Sequence, residues 1–88
     1  MASYRLILKP SVEKDLRSLP QSAVSRVFKQ IEALQDNPFP RGSRKLSATD
    51  ELYRVRVGDY RIVYGVDKAG RQVLIYYVRH RGDVYRRL

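Results

Sequence analysis

Thirteen consecutive residues near the middle of the chain, Leu52-Tyr53-Arg54-Val55-Arg56-Val57-Gly58-Asp59-Tyr60-Arg61-Ile62-Val63-Tyr64, narrow the choice of fold more than any other feature. On either side of Gly-Asp they are rich in β-branched, aromatic and arginine residues, the pattern of two strands joined by a two-residue turn. With Gly58-Asp59 as that turn, Val57 faces Tyr60, Arg56 faces Arg61, Val55 faces Ile62, Arg54 faces Val63 and Tyr53 faces Tyr64. Side chains alternate between faces along a strand. One face then carries Tyr53, Val55, Val57, Tyr60, Ile62 and Tyr64, and the other carries Arg54, Arg56, Arg61 and Val63. A slip of one residue would drive Arg54 or Arg61 into the core, so the apolar pattern pins the register.

Like charges directly opposite each other destabilise a strand pair. Arg56 opposite Arg61 is therefore at odds with a purely structural role, and such inconsistencies often mark function. The chain as a whole points the same way. It has 88 residues with 18 Lys and Arg against 9 Asp and Glu, a formal net charge of +9, and thirteen of the bases are Arg. Residues 1–40 contribute +2 of that charge and residues 41–88 contribute +7. A basic chain of this kind suits a polyanionic partner, and the guanidinium fork suits phosphate.

The other elements follow from periodicity. Tyr4 to Leu8 reads as a short opening strand. Ser11 suits the N-cap of a helix carrying Val12, Leu16 and Leu19, which Leu19-Pro20 ends. Pro20 suits the first turn of a second helix, whose stripe is Val24, Val27, Phe28, Ile31 and Leu34. Asn37 to Ser43 is a loop by composition. Strands follow at Glu51 to Val57, Tyr60 to Val66 and Arg71 to Arg79, with Asp67-Lys68-Ala69-Gly70 as the second turn. Gly82 to Leu88 is a helical turn or a tail. The expected fold class is α+β: a single domain over residues 1–88, with an N-terminal strand and a helical hairpin packed on one face of a small antiparallel sheet. Extending the register through the second turn pairs Tyr64 with Val73 and Ile62 with Ile75. That places Tyr77 on the apolar face, and Tyr76 and His80 on the arginine face. Arg79 and Arg81 fall on the apolar side unless a bend or bulge re-aims them.

Several chemistries are excluded by composition. There is no Cys, so no disulfide or thiolate metal site, and the one His rules out a two-histidine nuclease site. The acids are scattered, with no paired-carboxylate metal site, and Asp83 and Ser43 make no recognisable triad with His80. Gly65 and Gly70 build no phosphate-cradling loop. No apolar run approaches the roughly 20 residues of a membrane span, and the N-terminal stretch is too short and too early charged for a signal peptide. The expectation is a cytoplasmic protein without cofactor, metal or membrane partner.

The run from Leu52 to Tyr64, followed by Val78-Arg79-His80-Arg81-Gly82-Asp83-Val84-Tyr85, resembles the RelE/ParE superfamily of toxins from type II toxin–antitoxin systems, its RelE-like branch above all. Lys9-Pro10-Ser11-Val12-Glu13-Lys14-Asp15-Leu16-Arg17-Ser18-Leu19-Pro20 is similar to the first helix of that superfamily. The resemblance implies an endoribonuclease, an mRNA interferase that cuts messenger RNA in the ribosomal A site and inhibits translation. It also implies a cognate antitoxin from the same operon, expected to be a small acidic protein, and operator DNA binding only as a complex with that antitoxin. By resemblance, Arg61, Arg81 and Tyr85 match catalytic positions, Arg54 and Arg56 fall where the branch has basic residues on the second strand of the sheet, and Lys45 lies in a loop that is commonly basic. The other branch, a ParE-like poison of DNA gyrase without nuclease activity, is the alternative.

Metal-independent cleavage of this kind uses the 2′-OH as nucleophile and needs a base, an acid and positive charge for the phosphorane. Arg61 is the first candidate to stabilise that charge, with Arg54, Arg56 and Lys45 holding RNA. His80 is a candidate for proton transfer, since imidazole is the side chain most often used as a general acid or base. Tyr85 offers stacking on a base or proton transfer, and Arg81 offers charge to the leaving group.

Overall fold

The computed structural model describes residues 3–46 and 52–80. Seven elements follow one another: β1 (Arg5–Leu8), α1 (Pro10–Arg17), α2 (Gln21–Ala33), β2 (Arg44–Lys45), β3 (Leu52–Val57), β4 (Tyr60–Asp67) and β5 (Gln72–His80). The strands form one sheet in the order β1-β5-β4-β3-β2, and both helices cover one of its faces. The fold is thus α+β, with one departure from an all-antiparallel sheet: β1 lies parallel to β5, Arg5 opposite Gln72 through Leu8 opposite Ile75.

The β3–β4 hairpin has the register that alternation dictates, from Val57 opposite Tyr60 to Tyr53 opposite Tyr64. Gly58 takes φ +59°, in the left-handed region that favours glycine. The apolar face of this hairpin meets the helices. Val55, Ile62 and Tyr64 join Val12, Val27, Ile31, Leu34, Val66, Val73, Ile75 and Val78 in one buried cluster.

Helix details differ from expectation in instructive ways. α1 begins at Pro10, with Lys9 as N-cap, and the Ser11 hydroxyl instead donates to the Tyr76 carbonyl at 2.7 Å. In α2 the inward stripe is Ala23, Val27, Ile31 and Leu34, while Phe28 is 38% exposed. Those positions recur every three or four residues and lie on one side of the helix; Phe28, one residue past Val27, lies about 100° round the helix from it.

The second hairpin departs from the expected register. Asp67 pairs with Gln72, so the turn is Lys68 to Arg71, and Tyr64 stands opposite Ile75. The Asp67 carboxylate accepts the Gly70 N–H at 3.0 Å, and Arg71 takes φ +52° to close the turn. This shift of two residues keeps Val73 and Ile75 facing the core. Then Val63 pairs with Tyr77, leaving Tyr76 as an extra residue in a β-bulge. Beyond the bulge every side chain of β5 changes face. Val78 is buried with the core, Tyr77 and Arg79 turn to the arginine face, and His80 comes opposite Tyr60. The expected placements of Tyr77 and His80 are therefore exchanged, because the alternation is interrupted at Tyr76.

Tyr64 ties the loop before β2 to the core. Its hydroxyl donates to the Pro38 carbonyl at 2.8 Å, and its ring stacks on Tyr53 at 5.8 Å between centroids. Burial pushes its pKa up to about 12 from 10; Ser43 hydrogen-bonding opposes that rise and Tyr53 adds to it. A raised folded-state pKa means stability fully present below pH 10 and lost as pH rises through 12, at most about 3 kcal/mol from this group. Thermal melts from pH 9 to 12 should show a steeper decline for the wild-type chain than for Tyr64→Phe.

Candidate phosphate-binding site on the arginine face

The face turned away from α1 and α2 collects the basic residues. Its rows follow from the pairing: Arg44, Arg54, Val63 and Tyr77 stand side by side across β2 to β5, and Arg56, Arg61 and Arg79 across β3 to β5. Neighbouring members of a row are about 5 Å apart along the hydrogen-bonding direction. Gly42, Arg44, Arg54, Val55, Arg56 and Arg61 line a cleft of about 170 Å³.

Arg61 is distinctive within this group. It lies in the central strand, 9% exposed, and is the one charged side chain among the described residues that is buried. Burying a guanidinium carries a large desolvation cost. A charge retained there is held in a fixed place of low dielectric, where it acts more strongly than at the surface. Arg54 is half-buried and Arg56 exposed. The Arg56 Nε donates to the Gly58 carbonyl at 2.8 Å, which fixes part of that side chain against its own turn.

The structure brings together Arg54, Arg56 and Arg61 as the hairpin register requires. Lys45 stands opposite Tyr53, whose side chain belongs to the helix side, while Arg44 stands opposite Arg54. Arg44 is thus the cleft residue of that loop. Sequence reasoning missed it because a two-residue strand carries no alternation to read. His80 does not line this cleft. Its ring lies 5.5 Å from that of Tyr60, edge to face, in a second cleft bordered by Ser11, Lys14, Asp15, Ser18 and Leu19. Arg79, opposite Arg61, engages Asp15 of α1 and lies 4.9 Å from the Tyr77 ring centroid. Arg81 and Tyr85 lie outside the described residues.

A buried arginine flanked by others on one sheet face, with a helical hairpin on the opposite face, defines a small basic α+β domain. The family model described as the ParE toxin of type II toxin–antitoxin systems matches residues 6–85. The chain belongs to this RelE/ParE superfamily of toxins and is RelE-like within it. It is 36% identical to a putative RelE1 toxin of Methanocaldococcus jannaschii, over 94% of this chain and 96% of that protein. The toxin in the archaeal RelE–RelB complex of Pyrococcus horikoshii superposes with a TM-score of 0.82 at 34% identity, covering 91% of this chain and 97% of that one. A toxin–antitoxin complex of Mycobacterium tuberculosis gives 0.79 at 26% identity, covering 90% and 99%.

Proposed function

We propose that the chain is a ribosome-dependent endoribonuclease that cleaves messenger RNA in the A site and is neutralised by a cognate antitoxin. The observation that carries this reading is the buried Arg61 between Arg56 and Arg79 on the arginine face. In the proposed reaction the 2′-OH loses its proton to a base and attacks phosphorus. The bond from phosphorus to the 5′-oxygen breaks, and that oxygen takes a proton. The products are a 2′,3′-cyclic phosphate and a 5′-OH end. Arg61 stabilises the phosphorane, whose extra negative charge is present only during reaction. Arg54 and Arg56, with Arg44 beside them in place of Lys45, hold the RNA backbone.

Of the two candidates for proton transfer, we assign the role to Tyr85 because of where His80 lies. His80 turns its ring toward Tyr60 on the helix side, away from the arginine cleft. Arg81 serves the leaving oxygen. Placement of the codon by the ribosome supplies orientation, which lowers what the side chains themselves must contribute. The chain acts in the cytoplasm, where its ribosomal substrate is. Relatives whose structures hold RelB support a cognate antitoxin as partner; the net positive charge of this chain suits a small acidic one, and operator DNA is bound by that pair together.

The match to a model named for ParE keeps gyrase as the second target to be measured. Purified chain is added to translating ribosomes and, in parallel, to gyrase with relaxed plasmid. Codon-periodic breaks in ribosome-bound messenger, with supercoiling intact, are the expected result. Inhibited supercoiling with intact messenger reverses the assignment.

A further inference from the structure

β1 runs beside β5 only as far as Ile75, and α1 takes over that edge of the sheet. The Lys9 N–H donates to the Ile75 carbonyl at 3.0 Å, the Ser11 hydroxyl to the Tyr76 carbonyl at 2.7 Å, and the Val78 N–H to Asp15 Oδ2 at 2.9 Å. The match is one of pitch. Four helical residues advance about 6 Å and two strand residues about 6.8 Å. Ser11 and Asp15, one turn apart, therefore meet Tyr76 and Val78.

A neutral acceptor would be enough to satisfy the Val78 N–H. Asp15 brings a charge as well, and its other oxygen pairs with the Arg79 guanidinium. The two side chains are 15% and 24% exposed, so the pair is shielded more than an ordinary surface ion pair. Arg79 ends the row that runs through Arg61 to Arg56. Three guanidinium-bearing residues in one row repel each other, and the carboxylate offsets that repulsion where it holds Arg79.

We propose that Asp15 is a positioning residue of the RNA-cleaving site: through its ion pair it fixes Arg79 beside Arg61, and so sets how well the row meets the charge that develops on the scissile phosphate. This role rests on the ribonuclease reading. Asp15 itself touches no RNA.

The test is a double-mutant cycle on messenger-programmed ribosomes, with single-turnover rate and half-saturating concentration measured separately. Asp15→Asn keeps an oxygen for the Val78 N–H and removes the charge. It should slow cleavage about tenfold without weakening ribosome binding, since net positive charge rises by one. In an Arg79→Ala background the same change should have no further effect on rate, because residues acting as one unit are non-additive. Should Asp15→Asn fail to accumulate as folded protein, Arg79→Lys leaves the Asp15–Val78 bond intact and should show the same rate-specific loss. A wild-type rate in Asp15→Asn, a wild-type rate in Arg79→Lys, or effects of Asp15→Asn and Arg79→Ala that multiply independently, would each overturn the role while leaving the ribonuclease reading in place. Messenger left intact by the wild-type chain removes both.

Discussion

Arg61→Ala is expected to reduce messenger cleavage on programmed ribosomes about 100-fold or more, the scale seen when one preorganised donor to a developing oxyanion is removed. The reason lies in where Arg61 stands. It occupies the central strand and is buried; Arg56 and Arg79 stand on the two strands beside it. An exposed arginine that only attracts RNA would lose affinity on truncation and regain it at lower salt. Arg61 should instead lose rate at saturating ribosome concentration, and low salt should not restore it. Growth arrest on expression should disappear with the same substitution. Single-turnover cleavage at two salt concentrations separates the two outcomes. Equal loss of affinity and rate, fully reversed at low salt, would place Arg61 among the RNA-holding residues.

Ile62→Ala is the second large effect, and it acts on stability. Ile62 is fully buried in β4, between Val55 and Val78 of the flanking strands. Removing its side chain deletes apolar burial and leaves a cavity at the centre of a small core, at a cost of about 3 kcal/mol. In a domain of this size that lowers the melting temperature on the order of 15 °C. Arg61 and Ile62 are adjacent in sequence but face opposite sides of the sheet. Folded Ile62→Ala protein, assayed well below its melting point, should therefore cleave nearly as well as wild type. The pair of substitutions separates the core-facing function of β4 from its site-facing function within one dipeptide.

The reach of sequence reasoning along this chain follows from where alternation is informative. In β3 and the first half of β4, arginine alternates with valine, isoleucine and tyrosine, and a two-residue turn leaves one closing pair. Register and faces could be read directly, and with them the group Arg54, Arg56 and Arg61. In β5 the run Val73-Leu74-Ile75-Tyr76-Tyr77-Val78 is apolar on both faces, so no polarity marks where alternation is interrupted. The bulge at Tyr76 lies inside that run and exchanges the sides of Arg79 and His80. The four-residue turn gave a further ambiguity of two residues, harmless to the faces because it preserves parity.

Other differences have equally local causes. Arg44–Lys45 is too short to show a strand pattern, so Arg44 could not be told from Lys45 as the cleft residue. Ser11 has the chemistry of an N-cap, but the exposed carbonyl of Tyr76 lies within reach and takes its hydroxyl. Asp15 carried no signal at all, because its partners, Val78 and Arg79, lie more than sixty residues away in sequence. The residues closest to the proposed chemistry were legible through charge placed against a structural rule. Those that position them were not, because their roles arise only in packing.

The chemistry of the cut ends tests the central assignment most directly. Messenger bound to translating ribosomes is treated with the purified chain, and the new termini are characterised by enzymatic end-labelling before and after removal of cyclic phosphates. Attack by the neighbouring 2′-OH, with arginine charge stabilising the phosphorane, requires 5′-OH ends and 2′,3′-cyclic phosphates, both lost in Arg61→Ala. Termini with 5′-phosphate and 3′-OH, or intact messenger alongside inhibited DNA supercoiling, would contradict it.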